Sequence, residues 1–328
     1  MVLKITSTWI VPLLAFGAGM LAMYWGGGSF IPIGPDTNDI LQQKTQYQFI
    51  NPLLFCSDNG LSVLTNKTSK KIESDITSYI ESQRQSGVLT NAAVYFRDLN
   101  AGPWVLVNKD MRSIPASLLK VPLAISLYLH AEKNPGFLTT PLGFDGTEDF
   151  NANLHFKPAA FAEPSKTYSV EQLIRLMLED SDNGSLFLLG NQIGDQELAK
   201  IYSDFGIDAP DDSSQNYTMD VRTYASFFRV LYNGSYLSKD DSEHILSLLA
   251  QSTFPQGLEA GVPPGTAVAH KFGEFMQKSG VDQLHDCGII YKPKQPYLLC
   301  VMTHGTDLDQ LAKVIAEISK IVYQDISF

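Results

Sequence analysis

Cysteine is scarce: the 328-residue chain has three, none in a C-x-x-C pair. That excludes a disulfide scaffold and argues against a cysteine-held zinc site. The six histidines (His130, His155, His244, His270, His285 and His304) never fall as H-x-x-H or H-x-x-x-H. No metal-binding helix is therefore expected, and no cofactor. The chain has no basic run, and its 24 Lys and Arg face 35 Asp and Glu, for a net charge of −11. So acidic a surface is unsuited to nucleic acid. There is no internal repeat. Hydrophobic residues make up 44% and charged residues 18% of the chain, which excludes a disordered or collagen-like protein.

Basic residues are also missing between positions 5 and 43, where the only charges are Asp36 and Asp39. Inside that stretch, residues 9–25 (WIVPLLAFGAGMLAMYW) are apolar, with Trp9 and Trp25 at the ends. With Ile5 and the 26–33 run they reach the roughly 20 residues needed to cross hydrocarbon. Tryptophans at both ends suit the two membrane interfaces, and Lys4 places the positive charge before the span. The expectation is a single-pass anchor at residues 1–30 in the cytoplasmic membrane, with everything after it extracytoplasmic. A cleaved signal peptide is the rival, but neither Ala15-Phe16-Gly17 nor Gly26-Gly27-Gly28 is a clear cleavage site. The Leu53-Leu54-Phe55-Cys56 string is a poor lipoprotein box, with a bulky Phe before the Cys and a position well past the apolar run.

Residues 31–69 are expected to be a linker, rich in Pro, Gly, Asn, Ser and Thr. A helix is expected over 70–85 from Ile72, Ile76, Tyr79 and Ile80. Two short strands are expected at 91–97 and 104–107, then an apolar helix over 117–133. Residues 135–255 read as a mostly helical subdomain, with its strongest helix at 170–179. Strands follow at 266–270, 284–291 and 297–303, the last two flanking the turn Lys292-Pro293-Lys294-Gln295-Pro296. The chain closes on an amphipathic helix through Leu308, Leu311, Val314, Ile315, Ile318 and Val322. The fold class is α+β: an antiparallel sheet of about five strands flanked by N- and C-terminal helices, with an inserted helical subdomain. Residues 70–328 are expected to form the catalytic domain. Cys287 and Cys300 lie symmetrically about the 292–296 turn, so they are expected to face each other across the hairpin and to bond in an oxidising compartment.

Three short motifs carry chemistry. Ser117-Leu118-Leu119-Lys120 is the only Ser-x-x-Lys in the chain and opens an apolar helix. The three-residue spacing puts hydroxyl and amine on one face, and the helix N-terminus offers N–H groups to an oxyanion. A serine hydroxyl needs a base, and lysine can serve once burial or a second cation lowers its pKa. Pro122 requires that helix to tolerate a missing N–H. Ser181-Asp182-Asn183 ends the 170–179 helix: its hydroxyl can relay a proton, and its amide can hold a substrate carbonyl. The tetrapeptide SDNG also occurs at 57–60, where it reads as a linker turn. Lys271-Phe272-Gly273 follows a strand and supplies a second cation beside a glycine that lets a substrate approach the backbone. Lys278-Ser279-Gly280 is its rival in spelling, but sits in a hairpin loop.

These motifs, with Ser181 falling 64 residues after Ser117 and Lys271 falling 90 after Ser181, resemble the penicillin-recognising serine enzymes, most closely the class A β-lactamases. The neighbouring strings SLLKVPLAISLYL, YSVEQLIRLMLEDSDNGS, GTAVAHKFGE and HDCGIIY agree, and the resemblance covers roughly residues 70–325. It implies a covalent acyl-enzyme with Ser117 as nucleophile and Lys120 as its base partner. Ser181 and Lys271 would move the proton, Asn183 would position substrate, and the backbone N–H groups of Ser117 and Glu274 would form the oxyanion hole. The implied substrate is a β-lactam or a peptidoglycan peptide.

The chain departs from that family in three places. Phe272 stands where a Thr or Ser hydroxyl usually grips the substrate carboxylate. Glu274 puts a carboxylate at the edge of the expected oxyanion hole. The stretch 202–221, where the family carries a deacylating Glu, has none; Asp208, Asp211 and Asp212 are the candidate acids in its place. The leading expectation is β-lactamase-like hydrolysis. The alternatives are a D,D-peptidase acting on peptidoglycan stems and a non-hydrolytic penicillin sensor or pseudoenzyme.

Overall fold

The computed structural model describes residues 47–51, 66–100, 102–210, 217–277 and 280–326, all within one unit spanning Tyr47–Phe328. The apolar 9–25 segment, the 53–56 string and the first SDNG copy lie outside the described residues. Among the described residues, no helix is long and apolar enough to cross a membrane.

A 20-residue helix, α1 (Asn66–Gln85), leads into strands β1 (Leu89–Asp98) and β2 (Trp104–Val107). After the helical region the chain adds β5 (Val268–Phe275), β6 (Asp282–Ile290) and β7 (Tyr297–Gly305), numbered after a small ribbon of β3 (Pro141–Gly143) and β4 (Thr167–Ser169). The main sheet is antiparallel in the order β2-β1-β7-β6-β5, so strands from the two chain ends meet at β1–β7. A last helix, α8 (Leu308–Asp325), returns to the sheet. The expected α+β architecture is the observed one.

The sheet is buried on both faces, so β7 reads as a nearly continuous apolar run from Tyr297 to Met302, while β6 buries the polar Gln283, His285 and Asp286 along with its apolar residues. One face packs against α1 through Ile72, Ile76 and Ile80 and against α8 through Leu311, Ile315, Ile318 and Val322. The other face carries the helices α2 (Lys120–Lys133), α3 (Val170–Glu179), α4 (Asn183–Gly190), α5 (Asp195–Asp204), α6 (Val221–Tyr232) and α7 (Lys239–Leu249).

Three details differ from the sequence expectation. β5 runs through Phe275 instead of ending at residue 270, because pairing with β6 continues from Val268↔Ile290 to Phe275↔Gln283. The polar Lys271 and Glu274 hide that continuation from an apolar pattern. The 117–133 helix divides into a 3₁₀ turn, Ala116–Leu119, and α2. Pro122 falls in the first turn of α2, where N–H groups have no helical acceptor, so its missing donor costs little. The expected helical subdomain also contains the β3–β4 ribbon and an irregular 144–166 segment.

Cys287 and Cys300 are direct partners in the β6–β7 register, with α-carbons 3.9 Å apart, and form a disulfide.

Candidate active site

The 3₁₀ turn carrying Ser117 is held from several sides. Ala116, just before the serine, takes φ 49°, a left-handed conformation costly for a residue with a β-carbon. Tyr224 of α6 donates its hydroxyl to the Leu118 carbonyl at 2.9 Å. The incoming segment is bonded to the sheet: the Ile114 N–H donates to Gln283 Oε1 at 2.9 Å, and His285 Nε2 meets the Ile114 carbonyl at 3.1 Å. Ser113 Oγ lies 2.9 Å from His304 Nε2, and Ser113 exchanges two backbone bonds with Met219. The Thr303 N–H donates to His285 Nδ1, which leaves His285 as the neutral Nε2–H tautomer. Burial, with His304 beside it, pushes the His285 imidazole down to about 3, so this strut stays uncharged.

Gly273 closes the other side of the turn. A β-carbon there would lie 2.8 Å from the Pro115 carbonyl oxygen and 3.0 Å from the Leu118 nitrogen. Both are backbone atoms that cannot swing away, so only glycine lets β5 come this close to the Ser117 turn.

Ser181 sits between two buried lysines. It too adopts a left-handed backbone, φ 62°. Lys271 Nζ donates to Ser181 Oγ at 2.8 Å and to the Phe272 carbonyl at 3.0 Å. Lys120 Nζ donates to the Ser181 carbonyl at 2.5 Å, to Ser181 Oγ at 3.2 Å and to Asn183 Oδ1 at 2.7 Å. Asp182 has a structural role in the motif. It caps α4 by accepting from the Gly184 and Ser185 N–H groups, and it also holds the Ala162 N–H and Asn151 Nδ2.

The two ammonium groups are poised to lose protons. Burial, reinforced by the charge of Lys271, pushes Lys120 well below the usual lysine range, against the pull of Asp182 and Glu274. Burial draws Lys271 down to about 7, opposed by Asp286, Glu274 and Asp180. Ser117 is half-buried on the 3₁₀ turn that runs into Lys120. A neutral Lys120 one turn after Ser117 can take a proton, and a hydroxyl shared by both lysines can pass one on. Among the described residues, no group of three His, Cys, Asp or Glu side chains is placed to hold a metal.

The sequence put the Glu274 carboxylate at the edge of the oxyanion hole, but long-range partners draw it elsewhere. The Glu274 carboxylate is turned onto backbone, accepting from the His155 N–H at 2.6 Å and the Phe156 N–H at 3.0 Å. Phe272 stacks on Phe254 with ring centres 4.0 Å apart and meets Phe156 edge-on. Lys271 Nζ lies 4.4 Å from the centre of the Phe272 ring. Of the loop acids, Asp208 is exposed, and Asp211 and Asp212 lie outside the described residues, as do Lys278 and Ser279. Asp220 is committed to capping α6. Gln283, His285, His304 and Asn151 were not singled out by sequence. Lone polar residues in a strand or loop carry no local signal of what they will bond.

A sequence model of the Beta-lactamase enzyme family matches residues 71–326. Among solved structures, the chain is similar to PBP-A, at 22% identity and TM-score 0.62, covering 85% of this chain and 98% of that one. Another similar structure is a point mutant of PBP-A described as an acyl-enzyme complex with penicillin-G, at 22% identity and TM-score 0.64, covering 78% and 96%. A class A beta-lactamase from Mycobacterium abscessus aligns at 22% identity and TM-score 0.65, over 77% of this chain and 98% of that one. No curated protein matches the chain.

Proposed function

The chain belongs to the beta-lactamase enzyme family, and from that premise we propose that it is a serine hydrolase working through a covalent acyl-enzyme on β-lactam amides. The observation that carries this reading is the Ser181 hydroxyl held between Lys120 and Lys271, beside the turn that bears Ser117. In the proposed reaction, neutral Lys120 takes the Ser117 hydroxyl proton as Oγ bonds to the carbonyl carbon. The carbon–nitrogen bond then breaks, and the Ser181 hydroxyl delivers a proton to the leaving nitrogen. Ser181 is resupplied by the lysines that donate to it. The N–H groups of Ser117 and Glu274 would receive the oxyanion, Gly273 keeps the strand close to the turn, and Asn183 would orient the substrate.

The second half-reaction needs a base for water, and positioned bases contribute roughly 10²–10⁴-fold. Asp208 is exposed and Asp220 is spent on a helix cap. With no Glu anywhere in 202–221, this supports slow deacylation, and with it a second reading: D,D-peptidase-type action on peptidoglycan stems by the same residues. Intact mass followed over time after mixing with penicillin separates the outcomes. A penicilloyl adduct that forms and decays slowly is the expected result, and Ser117→Ala should form none. A wild-type protein that acquires no adduct from any penicillin overturns the reading.

We also place the catalytic domain outside the cytoplasmic membrane, tethered by the apolar 9–25 segment. The Cys287–Cys300 bond supports an oxidising compartment. A C-terminal reporter should be active only outside the cytoplasm.

A further inference from the structure

β5 is the last strand of its sheet, so its outer edge presents N–H and C=O groups that no strand of that sheet pairs. On the acyl-enzyme reading, an acyl donor at Ser117 would lie beside this edge, since Gly273 backs the serine turn and the neighbouring Lys271 holds Ser181. The segment 150–156 crosses the same place. At one end it is tied to the Ser-Asp-Asn motif: Asn183 Nδ2 donates to the Phe150 carbonyl at 3.2 Å, the Asn183 N–H donates to Asn151 Oδ1 at 3.0 Å, and Asn151 Nδ2 donates to Asp182. At the other end, the His155 and Phe156 N–H groups are held by the Glu274 carboxylate. The strap therefore spans the gap that the Lys271–Ser181 bond also spans, and passes the free edge of β5 one residue beyond Gly273.

The strap is braced within itself. Lys157 Nζ donates to the Asn151 and Ala152 carbonyls at 2.8 and 2.6 Å, and the Leu154 N–H bonds the Asn151 carbonyl. Phe156 anchors it on Phe254, with ring centres 4.9 Å apart. At the other end Phe150 stacks on Phe187 with ring centres 4.5 Å apart, and Phe150, Asn151 and Lys157 line a cavity of about 480 Å³. At the 155–156 end the latch is thus the two hydrogen bonds to Glu274, the contact of His155 with Asp309 and the packing of Phe156 on Phe254 and Phe272, and the cavity leaves the strap room to shift once they are released.

We propose that the 150–156 strap, latched to β5 by the Glu274 carboxylate, is a size filter on the acyl donor, admitting compact lactams and excluding donors with a bulky group beside the β5 edge. This rests on the acyl-enzyme reading above. Glu274 acts here through its side chain as a specificity-determining residue, and its backbone N–H is unchanged by substitution.

The test compares second-order acylation constants of the full chain for two probes, 6-aminopenicillanic acid and a penicillin carrying a dye-sized acyl group. Wild type should favour the compact probe. Glu274→Ala should raise the bulky-to-compact ratio at least tenfold. Phe156→Ala, which leaves Glu274 in place, should move it in the same direction. Amide exchange supplies a readout independent of chemistry: the His155 and Phe156 amides should be protected in wild type and exposed in Glu274→Ala. An unchanged ratio with both probes reacting overturns the filter but leaves the acyl-enzyme reading intact. So does fast exchange of those two amides in wild type, or folded variants that react with neither probe while wild type reacts with both. If wild type itself reacts with neither probe, the acyl-enzyme reading fails, and the filter with it.

Discussion

Lys271 should make the protein more stable as the solution becomes more alkaline, and replacing it with methionine should remove much of that gain. The side chain is 1% exposed, and burial lowers its pKa to about 7 in the folded protein. An unfolded lysine titrates near 10.4. Between those values the unfolded chain binds more protons than the folded one, so unfolding becomes harder with rising pH. The stabilising effect is missing below about pH 7, where both states are charged, and grows towards pH 10. At roughly 1.4 kcal/mol per pH unit, the rise from pH 7 to 9.5 amounts to about 3 kcal/mol from this group. Lys120 works in the same direction, because burial and the Lys271 charge lower it too. In Lys271→Met the first contribution vanishes, and Lys120, freed of a neighbouring charge, loses part of its own. Buried tyrosines such as Tyr224, raised by burial, act in reverse once unfolded tyrosine ionises near pH 10, so the window stops short of that. Urea unfolding followed by far-ultraviolet circular dichroism, at intervals from pH 7 to 9.5, measures both proteins. Wild type should gain stability relative to the variant by an amount on the order of 3 kcal/mol. Parallel curves would refute the claim that Lys271 carries a strongly lowered pKa.

Gly273→Ala should depress acylation by tenfold or more, because its methyl would meet the Pro115 carbonyl oxygen at 2.8 Å; stopped-flow acylation by a penicillin checks it. Gln283→Ala strands the Ile114 N–H, at a cost of about 1–3 kcal/mol in urea unfolding, and should lower the acylation rate more than it weakens initial binding. Asp208→Asn should leave both the formation and the decay of the acyl-enzyme unchanged in a mass time course, since the side chain is exposed; adduct trapping by that variant would identify Asp208 as the missing base.

The helices were legible because apolar spacing along one segment encodes which face is buried. Ile72, Ile76 and Ile80, and Leu311, Ile315 and Ile318, all lie in the core under one face of the sheet. The motif residues were legible too, because each brings its own local geometry. Ser117 and Lys120 are one turn apart, and Gly273 allows a close approach that a β-carbon would block. The Cys287–Cys300 pairing followed from symmetry about a turn, which the β6–β7 register reproduces.

Other features had no local signature. The Glu274 carboxylate, expected at the edge of an oxyanion hole, is bonded to amides 119 and 118 positions earlier in the chain. Gln283 and His285 brace a segment about 170 residues before them. What the sequence by itself determined is the flanking helices and, in outline, the five strands of the main sheet, together with the three motifs that nominate the site. Only the tertiary structure decided that Ser181 rests between Lys120 and Lys271, how far those lysines are desolvated, and that a strap crosses the β5 edge. Periodicity and capping are properties of neighbouring residues. Desolvation, a shared hydroxyl and a latch exist only once distant segments exclude water from the space between them.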